Sequence, residues 1–316
     1  MKKWLIIIVC FLMVALAFTY LFIPTIVSFS YSISLRANPQ GLYRSLLDEK
    51  SWHLWWPENS NDSNNDTLPN QFFYNGYKYT IDAKKTSSIF ISITGKTIKA
   101  KTILNLFPIS NDSVQLVWEG KMPTSYNLIK RMEVYFKSKQ LKHDISLTMG
   151  KIDSFFSKTG NIYGSDIQQI PVLDSILVST HATSKDYPTI AFIYDLIDQL
   201  KEYIRGQSAK ETGFPMLNIT TTDSSNYLTR VAIPVNKRLK PSGKISYRWM
   251  MGGGKILVSE VRGGPASIDR AFQQIENYIH DYHRTTPAIP FLSLVTDRRK
   301  EPDTAKWITK IYYPVM

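Results

Sequence analysis

The sequence predicts an α+β protein in three parts. These are an N-terminal transmembrane helix, a strand–helix–sheet region closed by a long helix, and a region that writes one strand–helix–strand–strand plan twice. Three observations carry that prediction. Close to its start, after Lys2 and Lys3, the chain has an uncharged run long enough to span a bilayer. Period-two and period-3.6 apolar patterns then alternate in a fixed order from Phe29 to Phe156. Finally, Ile176-Leu177-Val178-Ser179 recurs as Ile256-Leu257-Val258-Ser259 and Val231–Val235 recurs as Ile311–Val315, both at the same spacing. Between them Leu200–Ile204 answers Ile275–Ile279, and Pro215-Met216-Leu217 answers Pro290-Phe291-Leu292, again at one shared, slightly shorter spacing. Ordered signatures repeating in step mark a duplicated unit.

The 316 residues, 43% hydrophobic and 20% charged, are globular in composition and enough for two domains and an anchor. Thirty-eight basic against 26 acidic residues give a net charge of +12. The lysines and arginines are scattered, with short clusters such as Lys237-Arg238 and Arg298-Arg299-Lys300, and no helix-turn-helix, zinc finger or RNA-binding signature organises them. A surface working beside an anionic membrane is the reading of that charge, and nucleic acid is not an expected partner. Cys10 is the single cysteine, so no intramolecular disulfide and no cysteine-based metal site is expected.

Lys2 and Lys3 precede an uncharged run from Trp4 to about Val27, longer than the roughly 20 apolar residues a spanning helix needs. Residues 1–27 are therefore read as a single-pass anchor, membrane-embedded through residues 4–27. The positive end stays in the cytoplasm and the rest lies outside, on the periplasmic side. Ala15-Leu16-Ala17 offers a signal-peptidase alternative, but the apolar stretch runs on through Ile23 as an uncleaved anchor would. The residues before Cys10, Ile8-Val9, lack the small side chain of a lipoprotein site.

Phe29, Tyr31, Ile33 and Leu35 alternate with polar residues as a half-buried strand does. Asn38-Pro39 supplies a cap and a first-turn proline for a helix that buries Leu42, Tyr43, Leu46 and Leu47 and runs into the Trp52–Pro57 segment. Pro57–Asn70 reads as a solvated loop. Strands are expected over 71–81, 88–94, 97–107 and 113–119, then a helix over about 138–158 with Leu141, Ile145, Met149, Ile152 and Phe156 on one stripe. The segment Ile33–Pro39, Tyr43, Leu46-Leu47 and Trp52–Pro57, in this order of elements, resembles the START-like or polyketide-cyclase-like superfamily (SRPBCC). The resemblance covers about 28–162. It implies a helix-grip fold, in which a curved antiparallel sheet wraps the C-terminal helix around a cavity for a hydrophobic ligand. Trp55, Phe72 and Trp118 are the candidate lining of that cavity, with an ordinary core role as the alternative.

Residues 168–316 hold the two repeats, about 170–235 and 245–315. In the first, a strand over 172–181 leads to a helix over 188–205 with Ile190, Ile193, Ile197, Leu200 and Ile204 inward, then strands 216–221 and 227–235. In the second, strands 245–250 and 255–261 precede a helix over 265–280 with Ile268, Phe272, Ile275 and Ile279 inward, then strands 291–296 and 307–315. The stretch Gly252–Pro265 and the ending Thr309–Val315 resemble the GyrI-like family, also seen as the effector-binding domain of AraC- and MerR-type regulators. That resemblance implies two pseudo-symmetric modules forming a groove for small, often cationic molecules. In many relatives a glutamate near the ending pairs with the cation, and some relatives are hydrolases that use groove acids. This chain has Lys310 there and Arg230 in the first repeat, so an anionic or neutral amphiphile fits better than a cation. Tyr247, Trp249, Trp307 and Tyr312 are candidate groove aromatics, with Lys310 and Glu260 as candidate polar contacts.

No catalytic residue, metal set or cofactor motif emerges. Gly252-Gly253-Gly254 lacks the strand–helix setting and the Lys-Ser ending of a phosphate loop. His280 and His283 have no third ligand near them in sequence, and His53 and His143 stand alone. The function read from the sequence is a membrane-anchored, non-enzymatic binder or sensor of a small hydrophobic or amphipathic molecule. A hydrolase or cyclase-like enzyme in either cavity, and a structural protein with filled grooves, are the alternatives.

Overall fold

The structure, a computed structural model, describes residues 2–57, 68–173, 175–222, 225–250 and 252–316. In its first helix about half of the side chains are described. The chain divides into two compact units, Met1–Lys158 and Thr159–Met316. Both are α+β with an antiparallel sheet, consistent with the classes expected from the sequence.

In the first unit α1 (Lys2–Phe22) is followed by β1 (Ile26–Leu35), α2 (Pro39–Leu47), a 3-10 turn (Glu49–Leu54), β2 (Gln71–Tyr74), β3 (Tyr77–Lys85), β4 (Ser88–Thr94), β5 (Lys99–Ser110), β6 (Ser113–Pro123) and α3 (Leu128–Phe156). The strands form one sheet in the order β1-β6-β5-β4-β3-β2. Ile89, Ile91 and Ile93 of β4, Leu104 of β5 and Leu116 and Trp118 of β6 are buried, so one face of each strand is core and the next residue looks away. Leu141, Ile145, Met149, Ile152 and Phe156 of α3 are buried as well, and α3 packs along β1 of that sheet. Asn38 caps α2 as expected, its side chain accepting from the Gln40 and Gly41 amides at 2.9 and 3.1 Å. Most of the Pro57–Asn70 loop lies outside the described residues.

Two expectations need correction. The single strand over 71–81 is a hairpin. Asn75 and Gly76 take φ of 49° and 75° and turn β2 into β3, with Tyr74 opposite Tyr77. Asn-Gly is the dipeptide that tolerates two left-handed residues in a tight turn. The long helix also starts well before Ser138, at Leu128, with Asn127 as its cap. Its first turns bury Arg131 and Val134 but leave Ile129 77% and Phe136 60% exposed. With apolar residues on two faces no single stripe forms, and the helical period is lost to a sequence reading.

That early start places Arg131 against the end of α1. Its guanidinium donates to the Ile23 carbonyl (Nε, 2.9 Å) and lies 4.8 Å from the centroid of the Tyr20 ring, while the Tyr20 hydroxyl donates to the Tyr126 carbonyl. Among the described residues, no helix is long and apolar enough to cross a membrane. The transmembrane part of the expected fold is thus left without structural support.

The second unit runs α4 (Thr159–Tyr163), β7 (Gln168–Pro171), β8 (Ser175–Ser184), α5 (Ile190–Gly206), β9 (Met216–Thr221), β10 (Tyr227–Val235), β11 (Ser246–Met250), β12 (Lys255–Arg262), α6 (Pro265–Asp281), β13 (Phe291–Leu294), a 3-10 turn (Thr304–Lys306) and β14 (Ile308–Val315). Its eight strands are ordered β11-β8-β10-β9-β13-β14-β12-β7. The two halves meet at β9 and β13, where Leu217 faces Leu292 and Met216 faces Ser293. They also exchange their leading strands: β7 pairs with β12 of the second repeat, and β11 with β8 of the first. Ile193, Ile197, Leu200 and Ile204 of α5 pack with Val178, Val231 and Ile233. Ile268, Ile275 and Ile279 of α6 pack with Leu257, Val261 and Ile311.

The register of the repeat also needs correction. Val231 and Ile311, equivalent in the two copies, both face their helices. Across the strands they pair with Thr180 and Ser259, which stand one position closer together than the sequence match requires. The inward Val178 therefore corresponds to Leu257 and not to Val258. In a strand a one-residue offset turns every side chain to the other face. The four matching letters at Ile176 and Ile256 are one residue out of step with the pairing of the two strands.

In the first unit Asp144 of α3 is buried with one carboxylate oxygen accepting from Asn75 Nδ2 (2.8 Å) and the other without a hydrogen-bond partner. Burial raises its pKa against the smaller lowering effects of Asn75 and His143. The folded state then holds a proton that the unfolded state releases near the ordinary value of 3.8, so stability falls as pH rises through the raised folded value. Asp144→Asn is expected to melt at a higher temperature than the wild type at pH 7, with the gap closing below about pH 4. Melting curves across pH check this; an unchanged or lower melting temperature at pH 7 contradicts it.

Candidate ligand-binding groove

Because β8, β9 and β10 give one face to α5, every second residue on them turns to the open face of the sheet. That face holds a cavity of about 570 Å³. Its apolar lining includes Leu177, Met216, Leu228, Ile289 and Phe291, and its neutral polar lining includes Ser179, Asn218 and Ser246. The charge-bearing groups are Arg230, Arg248 and His181, with no carboxylate among the described lining residues. Arg230 is fixed from below, Nη1 donating to Asn218 Oδ1 and to Thr220 Oγ1 at 3.0 Å each. Asn218 is itself held, its amide nitrogen donating to the Pro290 carbonyl at 2.9 Å.

The second repeat shows the same positions differently occupied. Lys310 stands where Arg230 does and lies 3.9 Å from Glu260, its cross-strand neighbour. Glu260 is also 3.6 Å from Arg262. Tyr312 matches Ala232 and stacks on Phe291, centroids 5.0 Å apart and planes at 6°. Glu260, Lys310 and Tyr312 are thus on the open face, but none of them lines the cavity; Tyr312 stacks on Phe291, which does.

Three other expected lining residues lie elsewhere. Tyr247 and Trp249 of β11 pair with Val178 and Ile176, on the helix side of the sheet, and Arg238 lies over both rings at 5.3 and 5.7 Å. It is Ser246, Arg248 and Met250, in alternation with them, that line the cavity. Trp307 is 4% exposed, in phase with the buried Thr309 and Ile311. Its indole donates to the Glu301 carbonyl at 2.8 Å and is covered by Arg298 at 4.8 Å. The residues missed as cavity contacts, His181, Arg248, Asn218 and Met216, carry a signal in the period-two alternation once Val178 and Val231 are set inward.

In the first unit Trp55, Phe72 and Trp118 belong to an aromatic cluster. Trp52 is 4.8 Å from Trp55 and 5.0 Å from Phe72, and Trp55 is 6.1 Å from Phe156. The Trp118 indole donates to Thr102 Oγ1 (3.0 Å), which donates to the Ile91 carbonyl (2.8 Å). A depression of about 1310 Å³ lies mainly along the other face of that sheet, lined by residues such as Ser92, Lys101, Ile103 and Lys121; none of the three aromatics lines it. Among the described residues no group of three or more His, Cys, Asp or Glu could hold a metal ion.

No family model matches the chain, and no curated protein matches it. Among solved structures, the chain is similar to the EcmrR C-terminal domain, at 16% identity over 48% of this chain and 98% of that one with a TM-score of 0.42. It is also similar to a hydrolase from Listeria innocua, at 10% identity over 48% of this chain and 91% of that one, TM-score 0.37. A third is a START superfamily protein from Mycobacterium smegmatis, at 15% identity over 40% of this chain and 97% of that one, TM-score 0.30. These likenesses carry neither a ligand nor a reaction to this chain.

The placement of the two tryptophans separates a packing role from a surface one. Trp307→Ala is expected to cost about 3–5 kcal/mol of stability in urea unfolding, as a buried large-to-small change does. Trp249→Ala, 58% exposed, should cost under about 1 kcal/mol. Equal costs for the two would contradict the assigned faces.

Proposed function

We propose that this chain is a non-enzymatic binder or sensor of a small amphipathic molecule and that the open face of the second unit is its site. The observation that carries the reading is the cavity of about 570 Å³ with its apolar wall and convergent polar groups, a size and character suited to a small ligand. An enzyme needs a positioned base. Glu260 is held between Lys310 and Arg262 and does not line the cavity, and the Ser179 hydroxyl is engaged with Ser246 Oγ at 3.2 Å. His181, which does line the cavity, stands opposite Arg230 on β10, and nothing in that arrangement favours the hydrolase alternative. Ligand binding to the full chain, followed by calorimetry, is expected to survive Glu260→Gln and to weaken by about tenfold or more when Leu228→Asp puts a charge on the apolar wall. Turnover lost in Glu260→Gln would instead establish an enzyme.

The same proposal includes the anchor. It is supported by the uncharged run Trp4–Val27, by the outward apolar side chains of α1 such as Trp4, Phe11 and Leu21, by the exposed Tyr126 hydrogen-bonded to Tyr20, and by the exposed Ile129 and Phe136 of α3. Exposed apolar surface of that extent suits lipid better than water. Retention of the full chain in bacterial membranes after alkaline washing is the expected result, with release when Ile8 and Val14 are both changed to Asp. A wild-type chain recovered in the soluble fraction contradicts the anchor.

A further inference from the structure

We infer that the ligand of the second unit's groove is an anionic amphiphile whose carboxylate, sulfonate or phosphate head is held by Arg230 and Arg248. Its apolar body lies against Met216, Leu228, Ile289 and Phe291. This rests on the binding reading above and narrows it to one chemical class.

The charge of the lining decides the sign. Two guanidinium groups and an imidazole converge on one cavity with no carboxylate among the described lining residues. Neither arginine makes an ion pair among the described residues. Arg230 spends one nitrogen, Nη1, on two neutral acceptors, Asn218 Oδ1 and Thr220 Oγ1. Nη2 and Nε are left without a protein partner among the described residues. A guanidinium fixed in this way loses little freedom when it receives an anion, and its planar fork matches a carboxylate or sulfonate with two bonds. A cationic ligand in the same place meets two like charges.

The duplication supplies an internal comparison. Lys310, the counterpart of Arg230, has Glu260 opposite it on β12. The residue opposite Arg230 on β8 is His181. One repeat therefore carries its own counter-ion and the other lacks one at the corresponding position. In that second repeat Tyr312 stands in place of Ala232 and stacks on Phe291. The cavity lies over β8, β9 and β10 of the first repeat, completed by β11 and Phe291 of the second, and there Arg230 and Arg248 have no carboxylate among the described lining residues.

Calorimetry on the full chain in lipid nanodiscs, with empty-disc subtraction, tests this using three probes that share one ring: naphthalene-2-sulfonate, 2-naphthylmethanol and 2-naphthyltrimethylammonium. The sulfonate is expected to bind about tenfold or more tighter than the other two, as a desolvated charge-assisted contact implies. Its affinity alone should fall as sodium chloride is raised. Arg248→Gln, at an exposed position, should weaken the sulfonate about tenfold and leave the alcohol within about twofold. His181→Glu should remove the preference for the sulfonate by giving Arg230 the counter-ion that Lys310 has. Arg230→Gln should act like Arg248→Gln, with only partial recovery in Arg230→Lys, which keeps the charge and loses the planar fork. If the alcohol binds as tightly as the sulfonate, or if the sulfonate is indifferent to both Arg248→Gln and His181→Glu, the anionic class is wrong while the binding reading stands. If none of the three probes binds, the binding reading falls and the class with it.

Discussion

The arrangement of the second unit depends on one commitment: one face of an eight-stranded antiparallel sheet is given to two amphipathic helices. Ile193, Ile197, Leu200 and Ile204 claim the odd-numbered residues of β10, and Ile268, Ile275 and Ile279 claim those of β14. Burying such a side chain is worth about 1.5–3 kcal/mol, so a slip of one residue that turned a whole strand over would cost several of these at once. Everything that alternates with the core is then forced onto the open face, whatever its charge. Arg230 is beside Val231, and Lys310 beside Ile311. Their position follows from their neighbours' hydrophobicity and not from any preference of their own.

Duplication makes a groove but does not make it symmetric. The exchange of β7 and β11 between the repeats knits the two halves together, and the short β9–β13 pairing continues one sheet across their junction. Within that frame three exchanges between the repeats separate the half that pairs its own lysine from the half that opens on the cavity. His181 stands for Glu260, Ala232 for Tyr312 and Asn218 for Ser293. The self-paired half satisfies its lysine with Glu260 and stacks Tyr312 on Phe291. In the open half a cation is held over a cavity by neutral groups. The first unit takes the other course, placing Trp52, Trp55 and Trp56 in mutual contact and anchoring the Trp118 indole through Thr102 to the Ile91 carbonyl.

Much of the fold is legible in local pattern because burial imposes period. The stripes of α5 and α6, the Asn38 cap and the alternation in β4, β5 and β6 are each short and self-contained. Where two demands overlap, legibility fails. The first turns of α3 carry Val134 inward and Ile129, Met132 and Phe136 outward, so the helix has no single stripe there. Asn75-Gly76 is hidden because strand-forming residues flank it on both sides. The candidate site is less legible than the fold. Tyr312, Lys310 and Glu260 sit on the open face, whereas Tyr247, Trp249 and Trp307 do not, since an aromatic ring suits a core, a cation–π contact or a cavity equally well. Which of these it fills is set by parity along a strand, and the letter-for-letter match at Ile176 and Ile256 points to the wrong parity.

The sequence by itself determined the α+β class, the two helices of the repeat, the duplication, and the presence of a base at both Arg230 and Lys310. These are written in composition and period, which a chain expresses before it packs. The tertiary structure alone decided which residues share a face and which base has a counter-ion. Glu260 and Lys310 are separated along the chain by the whole of α6 and β13, and His181 and Arg230 by α5 and β9. Only antiparallel pairing brings each across from its partner. Electrostatics falls off over ångströms rather than along the chain, so the charge of the groove existed only once the register was set.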